Sequence, residues 1–534
     1  MHMSGERSSD AEIRRQQAQL IAALSEPSLY PHPVAAVEHL ETHISHLMLA
    51  GEFVYKIKKP VDLGFLNFKD LDARRHYCEE ELRLNRRTAS AIYMKVIPIA
   101  GRADNPVLGG TGPPIEYAVK MRRFPQSALF SAMLDRNALE AQHIDALAIH
   151  IVELHGKAAA AKAGSPFGEP RWIEETALQN FEQLDPLLED ESDKRILERL
   201  RIDTERAHAQ LREVFGLRKR EGFVRECHGD LHLENIVWYH GDAMPFDCIE
   251  FNDGLRWIDV MNEVAFVVMD LCVRSGPKFG FRLLNEYLEQ TGDYGGLAAL
   301  PYYMIYRALV RAKVLTLRTP QTSNASTAEK SRMRSYLTFA QRFASNLGSG
   351  AIIITHGVSG AGKSTLTQHL LEELGAIRAR SDVERKRLVG LPFTAHSGAK
   401  LGQGVYASQV TLDTYSGLER FARVIAKAGY MAIIDATFLR RDQRKRFRRL
   451  AEELGLPFVI LDCQAQEAVL RARITERERR GGDPSEADLT VLEHQLTTRE
   501  PLNSGEQASA IVFDAERGNW HQTAHLLKTR LSHA

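Results

Sequence analysis

Gly357-Val358-Ser359-Gly360-Ala361-Gly362-Lys363-Ser364 is the stretch whose reading decides the C-terminal half of this chain. It satisfies G-x-x-x-x-G-K-S/T at every position. The apolar run Ile352-Ile353-Ile354 precedes it, and a helix-like stretch, Leu366 to Leu374, follows. Strand, glycine-rich loop and helix in that order predict a phosphate cradle, because glycines let backbone N–H groups turn inward onto phosphate oxygens. Gly357, Ser359, Gly360, Ala361, Gly362, Lys363, Ser364 and Thr365 are the candidate nucleotide-binding residues. Lys363 would reach the β- and γ-phosphates of ATP, and the Ser364 hydroxyl would sit on Mg2+. The competing reading is a glycine-rich turn that opens an ordinary helix.

A second phosphotransfer signature lies far upstream. His228-Gly229-Asp230-Leu231-His232-Leu233-Glu234-Asn235 has the H-x-D-x-x-x-x-N spacing of a kinase catalytic loop. Ile236 to Tyr239 and the following His240-Gly241-Asp242-Ala243 read as a hairpin, which returns the chain so that Asn235 and Asp247 finish close together. An amide oxygen and a carboxylate converging there could hold Mg2+ on nucleotide phosphates. Asp230 would take the proton of an attacking hydroxyl. The second His-Gly-Asp, residues 240–242, has no Asn at the matching distance and reads as a turn.

Composition narrows the possibilities. The chain has 534 residues, enough for several compact units, with 44% hydrophobic and 26% charged residues. Formal net charge is zero, so global charge argues for neither nucleic acid nor an anionic membrane. The five cysteines are scattered without a C-x-x-C, which suits a reducing cytoplasm and no zinc site. Cys227 and Cys248 flank the catalytic signature and read as small buried residues. The most apolar stretch, Val264 to Val273, is short and contains Asp270, so no membrane span is expected.

A small β-rich lobe precedes the catalytic loop, with strand-like runs at 47–58, 92–99 and 115–121 and helical texture from about 128 to 215 and again to 345. The alanine-rich 157–163 reads as helix. In Phe53-Val54-Tyr55-Lys56, alternation puts Val54 and Lys56 on one face, the V-A-I-K arrangement in which a lysine pairs nucleotide phosphates. Lys58 is the runner-up. A helix over 69–91 offers Glu79, Glu80 and Glu81 as its partner; about 100° separates neighbours, so only one can face inward. Glu81 lies near the semi-apolar face and is the choice, with Glu79 second.

On these residues, about 35–345 resembles the aminoglycoside phosphotransferase family, a branch of the protein-kinase-like fold. The resemblance implies Asp230 as base, Asn235 and Asp247 as Mg2+ ligands and Lys56 on phosphate. The sequence departs from protein kinases in lacking a G-x-G-x-x-G loop; Glu41 to Ser45 stands before Lys56 instead.

Residues 351–534 resemble small P-loop kinases, the group of gluconate kinases, zeta toxins and polynucleotide kinases. Asp382 follows the strand-like Ala376 to Arg380, at the strand end where open α/β sheets bind ligands, and is a candidate base or substrate ligand. Asp435 ends the buried run Tyr430 to Ile434 and looks like a Walker-B-type carboxylate near Mg2+. The competing reading for either Asp is a helix cap. Arg471, Arg473 and Arg477, with Arg480 beyond, resemble a P-loop kinase lid; Arg473 and Arg477 are the candidate catalytic pair. The basic run 440–449, with Arg440, Arg444 and Arg448 on one stripe, usually marks a solvated face; its alternative is a grip on a phosphorylated substrate or nucleic-acid end.

The expected architecture is therefore an α+β two-lobed kinase-like domain (35–346) after an N-terminal segment (1–34), followed by an α/β P-loop domain with a parallel sheet (347–534). The expected activity is bifunctional ATP- and Mg2+-dependent phosphotransfer to small-molecule hydroxyls. The alternatives are a nucleotide-dependent regulatory protein and a toxin-like kinase of protein or nucleic-acid ends.

Overall fold

The computed structural model describes residues 3–62, 64, 66–318, 327–345, 350–392, 395, 397–398, 404, 407–480 and 485–532. The polar loop expected at 321–327 and the boundary expected at 346–350 fall almost wholly outside the described residues, as does Gly481-Gly482. Packing divides the chain into two units: residues 1–168 with 222–263, and residues 169–221 with 264–534.

The first unit is built on a six-stranded antiparallel sheet. Its strands are β1 (Val37–Glu41), β2 (Ser45–Ala50), β3 (Phe53–Lys58), β4 (Tyr93–Arg102), β5 (Asn105–Leu108) and β6 (Pro114–Arg122), in the order β1-β2-β3-β6-β4-β5. Gly51 turns the chain between β2 and β3 at φ +58°, and a Cβ there would meet the Pro33 carbonyl at 2.8 Å. The helix Met3–Ala23 places Leu20 and Ile21 in one core with Met48, Tyr55 and Ile99, so the N-terminal residues pack with the sheet. The helix expected over 69–91 runs over Leu71–Asn85 and buries Cys78, Glu81 and Leu84. After the helix Ala141–Lys157 the chain does not stay helical. Ala159 and Ala161 bond the backbone of β7 (Val224–Glu226) in strand fashion: the Ala161 N–H reaches the Val224 carbonyl at 2.8 Å, and the Glu226 N–H reaches that of Ala159 at 3.0 Å. Pairing with an otherwise open edge outweighs the helix propensity of alanine here. β8 (Ile236–Tyr239) and β9 (Asp242–Pro245) form the expected hairpin. Its tip, His240 and Gly241, has φ of +52° and +80°, the double left-handed turn that suits strand twist. β10 (Trp257–Asp259) pairs with β7.

The second unit contains helices Pro170–Leu184, Glu191–Arg220, Pro277–Thr291, Leu300–Arg318 and Thr327–Ser345. The helix Val260–Ser275 begins in the first unit and continues here. Asp270, the charge in that apolar run, is buried and accepts from the Tyr336 hydroxyl at 2.6 Å. A five-stranded parallel sheet follows: β11 (Ala351–His356), β12 (Ile377–Arg380), β13 (Met431–Asp435), β14 (Phe458–Gln464) and β15 (Ala510–Asp514), in the order β12-β13-β11-β14-β15. Ile352, Ile353 and Ile354 are fully buried at its centre, as a strand covered on both faces requires. This is the parallel α/β domain the glycine-rich loop predicts.

Among the described residues no helix is long and apolar enough to cross a membrane. The basic run 440–449 departs from its expected solvated face. Arg444 is 1% exposed, shares the buried side of the helix Arg441–Leu454 with Phe447 and Leu450, and donates to Glu506 at 2.8 and 3.0 Å. Arg446 pairs with Glu419, and Arg448 lies over the Phe458 ring. The stripe is divided between core and surface, so Arg444 is not available to grip an anion.

Candidate functional site

In the first unit the site grows from β3. Alternation points Lys56 and Lys58 to one side of the sheet, where both meet Glu81 from the helix Leu71–Asn85. Lys56 Nζ is 2.7 Å from Glu81 Oε1, and Lys58 Nζ is 2.7 Å from Glu81 Oε2. Lys56 also reaches Asp247 Oδ1 at 2.5 Å, while Lys58 pairs with Glu250. Burial alone would raise the Glu81 carboxyl, but the two ammonium groups outweigh it and hold the group well below the usual range. Lys56 is desolvated too, and Asp247 and Glu81 keep it charged. Glu79 is instead engaged at the surface with Arg75.

Asp247 stands just past β9 at φ +64°, a left-handed position for a non-glycine residue. Its N–H reaches the Tyr93 hydroxyl at 3.3 Å, and the next amide, Cys248, donates to Asn85 Oδ1 at 2.9 Å. The hairpin closes as its spacing predicts: the Phe246 N–H donates to the Asn235 carbonyl at 2.9 Å. Asn235 Nδ2 donates to Asp230 Oδ2 at 2.9 Å and to the Asp230 carbonyl at 3.0 Å. His232 Nε2 lies 3.3 Å from the same carboxylate oxygen. Asp230 is thus held from two sides, with a third of its side chain open to solvent.

The loop His228 to Asn235 rests on a residue that motif reading misses. Glu263 is fully buried, and its Oε1 accepts from the N–H groups of His228 and Gly229, at 2.5 and 2.8 Å. Its Oε2 is 2.9 Å from His155 Nε2. Burial would raise this carboxyl, but the hydrogen bond from His155 and the donors around it bring it to about 2. His228 itself is pushed down by burial and stays neutral, with Nε2 2.9 Å from the Phe246 carbonyl. Gly229 has φ +89°, and a Cβ there would stand 2.8 Å from the Leu255 carbonyl, so only glycine fits. One signal for Glu263 was present: a carboxylate inside Val260 to Met269 has to be buried, and buried carboxylates need partners. Cys227 and Cys248 are buried, and burial raises both thiols, Cys248 to about 12, so they pack as neutral groups.

In the second unit the loop after β11 opens on a cavity of about 1050 Å3. Ser359, Gly360, Gly362, Lys363, Ser364 and Thr365 line it, together with Asp382, Asp435, Arg473 and Arg477. Gly357 and Ala361 support the loop from beneath: a Cβ at Gly357 would come within 2.5 Å of the Cys463 carbonyl and 3.4 Å of the Ala361 Cβ. Lys363 Nζ donates to the Val358 carbonyl at 2.8 Å, and burial lowers its affinity for the proton while Asp435 opposes that. Gly357, Gly360 and Gly362 all have positive φ, and the helix Lys363–Leu374 starts at the loop, so its first amides have no intrahelical acceptor. Those features fit a polyphosphate. A serine hydroxyl and a carboxylate, Ser364 and Asp435, are hard oxygen donors suited to Mg2+.

Strand order sorts the remaining residues. Asp382 follows the edge strand β12 and lies 3.3 Å from Arg385; burial would raise its carboxyl, and Arg385 and Arg380 bring it below its ordinary value. On the opposite side, Arg473 donates to the Gly360 carbonyl at 3.2 Å and to the Ala515 carbonyl at 2.9 Å, and Arg477 to that of Ala487. Arg471 does not join them: it is half-buried and paired with Glu467 and Glu493. Nothing is described of the Arg480 side chain.

Comparison with known proteins adds the family context. Residues 65–300 match the model of the Phosphotransferase enzyme family, and residues 352–502 match an AAA domain model. An uncharacterized protein of Mycobacterium tuberculosis strain H37Rv is 27% identical over 449 residues, 84% of this chain and 88% of that protein. A match of that length cannot lie within either segment alone. An adenylyl-sulfate kinase of Myxococcus xanthus is 34% identical over 124 residues, 23% of this chain and 63% of its own. Among solved structures, amicoumacin kinase in complex with AMP-PNP is 14% identical with a TM-score of 0.39, covering 65% of this chain and 96% of its own. A sugar kinase from Janibacter sp. HTCC2649 is 25% identical with a TM-score of 0.27, covering 34% of this chain and 95% of its own.

Proposed function

We propose that this chain, whose residues 65–300 match the model of the Phosphotransferase enzyme family and residues 352–502 that of an AAA domain, is a bifunctional kinase, each domain passing a γ-phosphoryl group from ATP to a hydroxyl of its own small-molecule substrate. The observation that carries this reading is Lys56, a buried cation bridging Glu81 and Asp247, because it supports a second phosphate-handling centre alongside the glycine-rich loop.

In the first centre Lys56 exchanges part of its contact with Asp247 for a phosphate oxygen, while Glu81 keeps it in place. Asp247 and Asn235 are the residues that would hold Mg2+, which neutralises charge on the phosphates. Asn235 and His232 orient the Asp230 carboxylate so that it meets the acceptor hydroxyl and takes its proton. In the second centre Lys363 and the loop amides hold the phosphates, and Ser364 and Asp435 would hold Mg2+. Asp382 orients the acceptor, and Arg473 and Arg477 offset charge on the transferred group.

The test is ADP release from the full chain with a library of hydroxyl-bearing metabolites, repeated with Asp230→Asn and with Lys363→Ala. Two acceptor-dependent activities, each removed by one variant, support the proposal. Nucleotide hydrolysis at the P-loop that no acceptor stimulates, together with acceptor binding elsewhere, would favour the regulatory alternative.

A further inference from the structure

β12 is an edge strand of the parallel sheet and, among the described residues, pairs only with β13. Its open side is not left to water. Asn285, on the helix Pro277–Thr291, accepts from the Arg378 N–H at 2.7 Å and donates to the Ala376 carbonyl at 3.0 Å, so one side-chain amide stands in for a neighbouring strand. The Tyr294 hydroxyl donates to the Arg378 carbonyl at 3.0 Å. Arg378 is itself unusual, a guanidinium 4% exposed in a strand. Its Nε donates to Glu289 Oε1 at 2.8 Å, from the same helix as Asn285.

The other end of Arg378 points to the P-loop. Nη1 lies 3.4 Å from the Ser364 carbonyl and 3.4 Å from Thr367 Oγ1. Thr367 Oγ1 is 3.2 Å from Asp435 Oδ2 and 3.2 Å from the Ser364 carbonyl. A hydroxyl has one proton. When the guanidinium donates to both the carbonyl and Oγ1, the Thr367 proton is left for Asp435. Glu289 therefore sits at the head of a chain of contacts that fixes Ser364 from behind and Asp435 from the side, without lining the cavity.

We propose that Glu289 is a positioning residue for the metal end of the P-loop site, so that a helix within residues 65–300, the phosphotransferase-family segment, completes the nucleotide site of the P-loop sheet. Asn285 and Tyr294 set the register of β12, and Glu289 sets the rotamer of Arg378. The inference rests on the reading of Ser364 and Asp435 as the Mg2+ residues. It also makes the P-loop sheet dependent on chain that precedes it, since without that helix Arg378 would be a buried charge with no counter-ion.

The experiment uses the full chain carrying Lys56→Ala, which silences the other site. Calorimetry measures AMP-PNP binding with Mg2+ and with EDTA. Glu289→Gln should weaken the Mg2+-dependent affinity about tenfold, the scale set by residues that orient metal ligands. Mg2+-free binding should change less than twofold, and Glu289→Asp, which keeps the charge, should recover most of the loss. Equal loss with and without Mg2+, or no loss, overturns the proposal; so does a Glu289→Asp variant as weak as Glu289→Gln. If Glu289→Gln does not fold, Thr367→Val decides: removing the hydroxyl between Arg378 and Asp435 should weaken Mg2+-dependent affinity selectively, and an equal or absent effect overturns the proposal. Lys363→Ala in the same background identifies the binding as the P-loop's. Binding that ignores Lys363 would overturn the nucleotide reading, and this inference with it.

Discussion

Replacing Glu263 by alanine should loosen the catalytic loop while leaving its motif residues untouched. The carboxylate receives the His228 and Gly229 amides and faces His155, all inside the protein. Removing it takes away the carboxylate acceptor of two buried backbone donors. Each unsatisfied donor costs roughly 1–3 kcal/mol, so the loop should be destabilised by about 2–6 kcal/mol. Hydrogen exchange over residues 224–235 reads this directly: protection should fall by roughly 30- to 2 × 10⁴-fold, at ~1.4 kcal/mol per decade. The pH dependence has a defined sign. The carboxyl is held at about 2 against an ordinary 4.5, so its contribution is complete above pH 4.5 and disappears as pH falls through about 2. A shift of that size corresponds to ~3 kcal/mol. Glu263→Gln keeps the shape but should abolish this acid-side dependence. Protection unchanged within twofold in the alanine variant would refute the reasoning.

Other outcomes follow from the same geometry. Asp230→Asn keeps the contact with Asn235 but not the base, so turnover at the first centre should drop by about 10²–10⁴-fold with nucleotide affinity retained, as initial rates and calorimetry would show. Asp382→Asn should remove acceptor-dependent transfer at the P-loop centre and spare basal ATP hydrolysis; loss of both would place Asp382 on the nucleotide instead. Arg444→Ala leaves Glu506 as a buried charge and should cost about 3–5 kcal/mol in thermal or chemical unfolding of the P-loop sheet, where an exposed arginine of the same run, such as Arg440, should cost less than ~1 kcal/mol.

The parts legible in the sequence were those whose chemistry is set by short spacing. The glycine-rich loop, the His228 to Asn235 signature and the alternation that brings Lys56 to Glu81 each depend on local backbone geometry. The parts that were not legible depend on a distant partner. Glu263 serves a loop that begins 35 residues earlier, and an apolar helix gives little sign of which loop the first of its two acids supports. Arg444 sits in a run of seven basic residues that reads as surface, and only Glu506, far along the chain, makes its burial tolerable. Residues 158–161 have the composition of a helix and become extended because β7 offers them an open edge. The service that Asn285 and Glu289 give to β12 has no pattern at all in one sequence, since it joins a helix to a strand about 90 residues later.

The central claim is that one chain carries two separate nucleotide sites. Calorimetric titration of the full chain with AMP-PNP at saturating Mg2+ tests it most directly. The account predicts two binding events per chain, with Lys363→Ala removing one and Asp247→Ala removing the other. A stoichiometry of one, or a single substitution that abolishes all binding, would contradict it.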